Sequence, residues 1–147
     1  NPTGALSSND LYASVTLEMT NAYSDNLLLT NFGFLVTNEN IINGIKVCIE
    51  KSSITGTCKD KKVQLVKSAS LGQYSTEDKA DTVNAWSTSD TSVCYGGSMQ
   101  MWETGWVPAD VSSTNFGVRI AAVNGGTIGA CTANIDQATI QLYISGS

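Results

Sequence analysis

The sequence lacks histidine altogether, holds two prolines, and is sparsely charged, since Lys, Arg, Asp and Glu make up 14% of its 147 residues. Histidine is the commonest general base, so its absence excludes Ser-His-Asp and Cys-His catalytic arrangements. The net charge of -5 provides no basic surface for phosphates or anionic headgroups. We therefore expect no nucleic acid partner and no membrane insertion, and no apolar run is long enough to predict a transmembrane span.

Carboxylates are the remaining route to catalysis, because glycoside cleavage needs two facing acids roughly 5–10 Å apart in a cleft. Most acids of this chain are expected in polar loops or on outward strand faces, where a solvated charge is the ordinary role. The candidates are Glu18, Glu50, Asp60, Glu77, Asp78, Asp81, Asp90, Glu103, Asp110 and Asp136. Nothing in their spacing favours a catalytic pair, so the sequence predicts a protein that is not an enzyme.

Calcium is the cofactor that these acids could bind. Loops carrying Asp60, Asp78, Asp81 and Asp136 could converge on one ion, but no EF-hand spacing supports such a site. The prediction is therefore that the protein has no cofactor, with calcium as an unsupported alternative and with any metal ligands unknown.

Apolar and polar residues alternate along several segments, which is the pattern of half-buried β-strands. Turn signals such as Asn43-Gly44 and Gly96-Gly97 separate these segments. The side chains expected in the core are Val15, Leu17, Met19, Ile45, Val47, Ile49, Val63, Leu65, Val118, Ile120, Ala122, Ile140, Leu142 and Ile144. The sequence predicts one all-β domain over residues 1–147, an antiparallel β-sandwich of jelly-roll type. One short helix is expected after Pro108, at residues 109–111.

The four cysteines are Cys48, Cys58, Cys94 and Cys131. Without a CxxC pair or a histidine they do not suit zinc, and an even number in an exported chain favours two disulfides. If segments 45–50 and 63–66 form a hairpin, counting by twos places Cys48 and Cys58 on the same outer face. We therefore predict the bonds Cys48–Cys58 and Cys94–Cys131. Four reduced thiols in a reducing compartment are the alternative.

The N-terminal residues suggest both processing and assembly. The chain begins at Asn1 without methionine, which we interpret as the mature end of an exported protein, with a truncated chain as the alternative. Residues 1–10 are polar and irregular, whereas residues 11–19 alternate cleanly. We expect residues 1–19 to be either a donor-strand arm that completes a neighbour's sheet edge or an ordinary first strand.

Three aromatic residues, Tyr95, Trp102 and Trp106, are candidates for ligand or assembly contacts. An exposed indole could stack on a sugar ring, but indoles also pack into sandwich cores. We expect Trp102 to lie in the core and leave both roles open for Trp106.

Several short phrases occur in a characteristic order from about residue 27 onward. They are LTNFGF (29–34), INGIKV (42–47), DKKVQLVK (60–67), YGG (95–97) with Trp102 and Trp106, TNFGV (114–118), and ANID (133–136) leading to IQLY (140–143). In this order they resemble a group of β-sandwich structural and surface proteins of bacteriophage and prokaryotic extracellular appendages. The sequence departs from that pattern at Glu103, where the group usually has glycine, and in its added cysteines.

The resemblance implies a structural or adhesive role without a catalytic site. Together with the low charge and the expected disulfides, it predicts a structural subunit of an extracellular filament, pilus-like appendage or virion surface. Such a subunit would assemble with copies of itself through sheet edges and would be located extracellularly, at the cell surface or on a virion. The alternative is a carbohydrate-binding module or lectin-like adhesin that binds surface glycans through Tyr95 and Trp106.

Overall fold

The computed structural model describes residues 3–146, with side chains from Ala13 onward. Within that range the chain forms eight strands and one short helix. The elements are β1 (Thr3–Leu17), β2 (Leu27–Thr30), β3 (Asn40–Thr55), β4 (Cys58–Ser68), β5 (Gln73–Tyr74), β6 (Thr91–Gly97), α1 (Pro108–Ser112), β7 (Gly117–Asn124) and β8 (Cys131–Gly146).

The strands form two four-stranded antiparallel sheets. Sheet A has the order β1-β8-β3-β6, and sheet B has the order β2-β7-β4-β5. The first strand thus pairs with the last, the second with the seventh, the third with the sixth and the fourth with the fifth, which is the strand order of a jelly roll. The predicted all-β antiparallel sandwich is confirmed.

The core lies between the two sheets and follows the alternation of the sequence. Ile45, Val47 and Ile49 of β3 are fully buried, as are Val118 and Ile120 of β7. Every-second-residue burial is what a strand with one face on the core requires. This part of the predicted core is confirmed.

The alternation fails as a guide to burial at the margins of the sandwich. Val15 is 38% exposed and Met19 is 70% exposed, although the alternation predicts both inside. The reason is that β1 is the outermost strand of sheet A and ends at Leu17, so that Met19 lies beyond the sheet. Ile144, near the other chain end, is only partly buried.

The N-terminal region is more regular than expected. Strand β1 begins at Thr3 and pairs with β8 of the same chain, with one register shift between Asp10 and Ala13. The expectation of an irregular segment up to residue 10 is therefore wrong from Thr3 onward. Residues 1 and 2 of the expected donor arm lie outside the described residues, and exchange of the arm between subunits stays a prediction.

Helix α1 starts where the sequence indicates. Pro108 occupies its first turn, where the missing backbone N–H costs nothing. The Val107 N–H donates to the Asp110 carboxylate at 3.0 Å, and Val111 is buried against the core. In the part of the chain that the structure describes, no helix is long and apolar enough to cross a membrane.

The four cysteines form two disulfides, but with a different connectivity from the predicted one. Cys48 and Cys94 are directly opposite each other in β3 and β6 of sheet A, with a Cα–Cα distance of 4.0 Å. Cys58 and Cys131 join β4 of sheet B to β8 of sheet A at a Cα–Cα distance of 5.6 Å. The predicted bonds Cys48–Cys58 and Cys94–Cys131 are therefore wrong.

The error has two physical causes. Strands β3 and β4 do not form a hairpin, because the chain passes from sheet A to sheet B between Thr55 and Cys58. The register of β4 also shifts between Asp60 and Lys62, which reverses the faces of the residues that precede the shift. Counting by twos from Gln64 consequently places Cys58 outside, whereas it is fully buried.

The inter-sheet disulfide should contribute more to stability than the one within sheet A. We expect the double variant Cys58→Ala/Cys131→Ala to lose roughly 2–5 kcal/mol of unfolding free energy. Both of its cysteines are buried, so the substitution also leaves a core cavity, whereas Cys94 is exposed. Guanidinium unfolding of this variant and of Cys48→Ala/Cys94→Ala measures the difference. An equal or larger loss in the second variant would contradict the expectation.

Candidate functional site

A cluster of polar side chains is buried between the sheets, close to where the chain passes from β3 to β4. It consists of Lys51 of β3, Asp60 of β4, Tyr95 of β6 and Trp86 of the loop between β5 and β6. We call these four residues the Lys51 cluster. Lys51 is 3% exposed and Asp60 is 1% exposed, and both aromatic rings are buried. Fully buried charges are rare and are normally paired.

Local strand geometry places both charges inside. Lys51 continues the inward-facing series of Val47 and Ile49 on β3, because it follows Ile49 by two residues and so shares its face. Asp60 faces inward because it precedes the register shift of β4. A cation from sheet A and an anion from sheet B therefore meet across the core.

The Asp60 carboxylate accepts four hydrogen bonds. Its Oδ1 accepts from Lys51 Nζ at 2.6 Å and from Trp86 Nε1 at 2.8 Å. Its Oδ2 accepts from the Tyr95 hydroxyl at 2.6 Å and from the Asp81 backbone N–H at 2.9 Å. Buried carboxylates need such donors to offset their loss of hydration.

The Lys51 amine is held by several groups at once. In addition to Asp60, it donates to the Tyr95 hydroxyl. It also lies 4.7 Å from the centroid of the Trp86 ring and 5.0 Å from that of Tyr95, within the range of cation–π attraction. The amine has little freedom to move relative to the carboxylate.

Burial controls the protonation of this cluster. Loss of hydration lowers the pKa of Lys51, although the attraction of Asp60 acts in the opposite direction. Burial, followed by the negative charge of Asp60, raises the pKa of Tyr95. Tyr95 therefore keeps its proton at any physiological pH and remains a donor to Asp60.

A cavity of about 270 Å³ opens beside the cluster and is lined by Lys51 and Asp60 themselves. Asp81 and Asn84 lie at this cavity as well. The Asp81 carboxylate accepts from the Asn84 side chain at 2.8 Å and from the Val83 and Asn84 backbone N–H groups. These hydrogen bonds lower the pKa of Asp81, and the largest contribution comes from the Asn84 side chain.

The aromatic residues named from the sequence are all buried. Tyr95 belongs to the Lys51 cluster, and Trp102 lies in the core as expected, with its Nε1 donating to the Ile45 carbonyl at 2.9 Å. Trp106 is also in the core, and its Nε1 donates to the Met101 carbonyl at 3.0 Å. None of the three rings offers an open face for stacking on a sugar in this arrangement.

The four aspartates considered for calcium do not all come together, although Asp60 and Asp81 line the same cavity. Asp60 is engaged as described, and Asp78 accepts from the Val63 and Ala80 backbone N–H groups. Asp136 lies instead with Glu50 and Asp90, with one carboxylate oxygen of each within 4.8 Å of the others. The expectation of no cofactor, with calcium as an unsupported alternative, stays untested.

One signal in the sequence could have revealed the Lys51 cluster. Lys51 has the same parity as Val47 and Ile49, so the alternation itself places a cation on the core face and requires an acidic partner. The turn-rich composition of residues 51–56 conceals this signal, because it predicts a turn where β3 in fact continues to Thr55.

Comparisons with known proteins provide distant likenesses only. No family model and no curated protein matches the chain. The fold is similar to a chain in the structure of infectious bursal disease virus strain Gx, with a TM-score of 0.48, 7% identity, and coverage of 100% of this chain and 32% of that one. This chain thus spans about a third of the viral one.

Two further likenesses cover nearly the whole of both chains. A CBM4 structure has a TM-score of 0.45 and 10% identity over 97% of this chain and 94% of that one. A protein of Bacillus endospore appendages, described as disulfide-linked pili, has a TM-score of 0.30 and 14% identity over 99% and 92%. Because all three TM-scores are below 0.5, we base no functional argument on them.

Removing the Asp60 carboxylate should leave a buried and unpaired lysine. We expect Asp60→Ala to lose roughly 3–5 kcal/mol of unfolding free energy, as for other broken buried pairs. The matched control is Glu77→Ala, which removes the acidic partner of Lys79 from a more exposed pair at 3.2 Å and should cost about 1 kcal/mol or less. Denaturant unfolding of both variants checks this, and equal losses would show that the Lys51 cluster adds no special stability.

Proposed function

We propose that this protein is a structural subunit of an extracellular filament or surface layer, assembled from copies of itself through the edges of sheet A. The observation that carries the proposal is strand β1. It is the outermost strand of sheet A and extends over 15 residues. A long strand at a sheet edge presents a row of backbone donors and acceptors to a further strand.

Strand β1 lacks most of the features by which proteins prevent edge pairing. Its sequence, TGALSSNDLYASVTL, contains no lysine and no proline, and Asp10 is its one charged residue. A single register shift interrupts it. The outer strands of sheet B, in contrast, are the four-residue β2 and the two-residue β5. Sheet A is therefore the better candidate for extension.

The directions of the strands allow extension by simple repetition. In the antiparallel order β1-β8-β3-β6, strands β1 and β6 run in opposite directions. Strand β6 of one copy beside β1 of the next would therefore continue the antiparallel pattern. Such a contact joins two different surfaces, and it leads to an open chain of subunits unless the rotation closes a ring. The twist of about 20–25° per strand would make that chain helical.

Two further features support this proposal. Two disulfides are typical of proteins in oxidising environments, which suits an extracellular location. One of them joins Cys48 to Cys94 of β6, which ties the second edge strand of sheet A covalently to β3. An edge anchored in this way is suited to bear load between subunits.

The alternative, a carbohydrate-binding module or lectin-like adhesin, has less support. Its expected ring platforms, Tyr95 and Trp106, are buried. Tyr23 is 65% exposed, but Lys61 Nζ lies over its ring at 4.8 Å from the centroid. Binding to a glycan array by a protein that stays monomeric would favour this alternative over the proposal.

Proline substitution can test the role of the β1 edge. Successive N–H groups of a strand point to opposite sides of it. One of the two variants Ser7→Pro and Ser8→Pro therefore removes a hydrogen bond to β8, and the other removes a donor at the outer edge. We expect one variant to lose stability. We expect the other to fold with nearly unchanged stability and to lose assembly, as observed by electron microscopy and sedimentation of the purified chain.

Unfolding curves of the monomers show which variant is which. The less destabilised variant is the one that has lost the outer-edge donor, and it tests assembly. The more destabilised variant has lost a bond to β8 and serves as its control. If the less destabilised variant forms the same filaments as the unmodified chain, β1 is not the contact. If the unmodified chain stays monomeric up to high concentration, the proposed function itself is wrong.

A further inference from the structure

We propose that Lys51 and Asp60 are the site of an intramolecular amide bond, formed by condensation of the Lys51 amine with the Asp60 carboxyl group. Such a bond would join β3 of sheet A covalently to β4 of sheet B. It is a modification of the chain by its own residues, and it does not depend on the proposed assembly.

The two reacting groups are already in contact and shielded from water. Lys51 Nζ lies 2.6 Å from Asp60 Oδ1, and the side chains are 4% and 1% exposed. The Trp86 and Tyr95 rings both lie close to the amine, with their centroids 4.7 Å and 5.0 Å from Lys51 Nζ. Holding a nucleophile and an electrophile in this way can correspond to an effective concentration of roughly 10⁵–10⁸ M.

Tyr95 provides a path for the proton that must move first. Its hydroxyl accepts from the Lys51 ammonium and donates to Asp60 Oδ2. A proton that passes along these two hydrogen bonds converts the ammonium and carboxylate into a neutral amine and a neutral carboxylic acid, which are the reactive forms. Burial, which lowers the pKa of Lys51, promotes the same transfer.

The condensation of the neutral amine with the neutral carboxylic acid then needs no further reactant. The lone pair of Nζ attacks Asp60 Cγ and forms the C–N bond, and negative charge develops on Oδ1. The Trp86 N–H, 2.8 Å from Oδ1, stabilises that charge. A second proton passes from the nitrogen to the Oδ2 hydroxyl, the Cγ–Oδ2 bond breaks, and one water leaves. The product is an amide, and nothing is oxidised or reduced.

The surroundings favour the product over the ion pair. Two buried charges retain a large desolvation penalty even when they are paired, and a neutral amide removes it. The amide oxygen keeps the Trp86 donor, and the released water can leave through the cavity that Lys51 and Asp60 line.

A second ion pair of the same chemical type provides a natural control. Lys62 Nζ and Asp78 Oδ2 are 3.6 Å apart, but their side chains are 30% and 31% exposed. Water therefore reaches both groups, which are also farther apart than Lys51 and Asp60. We expect no amide between them.

Intact-mass spectrometry of the purified chain with its disulfides reduced tests the proposal. We expect the mass of the unsubstituted chain to be lower, by one water, than the mass calculated from its sequence. Proteolysis should yield one fragment in which the peptides carrying Lys51 and Asp60 are joined. Lys51→Met and Asp60→Ala should show the full sequence mass, whereas Lys62→Met should keep the water loss.

Tyr95→Phe tests the proton path, because it keeps the ring and removes the hydroxyl. We expect this variant to fold and to form the bond at least tenfold more slowly after refolding, as followed by mass against time. An unchanged rate would remove Tyr95 from the mechanism. The proposal as a whole is overturned if the folded, disulfide-bonded chain shows the full sequence mass, or if a water loss maps to other residues. Neither result depends on whether any variant folds.

Discussion

The packing of this sandwich is constrained by the contact of a buried ammonium with a buried carboxylate between the sheets, in addition to the Cys58–Cys131 disulfide. Hydrophobic burial holds the sheets together without fixing their relative position, because it is non-directional. The Lys51–Asp60 pair is directional, and each charge would be costly to bury without the other. The Tyr95 hydroxyl and the Trp86 indole donate further hydrogen bonds to the carboxylate. Displacement of one sheet along the other would break the bonds from Lys51 and Tyr95 to Asp60 together.

Much of the fold can be predicted from the sequence, because the side chains of a strand alternate with a period of two. This rule identifies buried residues of β3 and β7, such as Val47 and Ile120, and it predicts the sandwich. It fails wherever the period is interrupted. The register shift after Asp60 reverses the expected faces of Cys58 and Asp60, and no residue type announces that shift. Disulfide connectivity and the candidate site both depend on it.

The site cannot be inferred from residue types alone, since its members come from three strands and a loop. Lys51 and Asp60 are nine positions apart, but Trp86 and Tyr95 join them only because the jelly roll places β6 beside β3 and returns the preceding loop over β4. The sequence indicates that Tyr95 matters without indicating how. Its ring and that of Trp86 are buried beside the Lys51–Asp60 contact and do not face a ligand.

The two disulfides differ in their access to solvent. Cys94 lies on the surface, whereas Cys58 and Cys131 are fully buried. A thiol reagent attacks a sulfur that it can reach, so a mild reductant should open the bond within sheet A and spare the one between the sheets. The protein would then pass through a form in which only the Cys48–Cys94 bond is reduced. In that form sheets A and B stay covalently joined, while β6 is no longer covalently bound to β3.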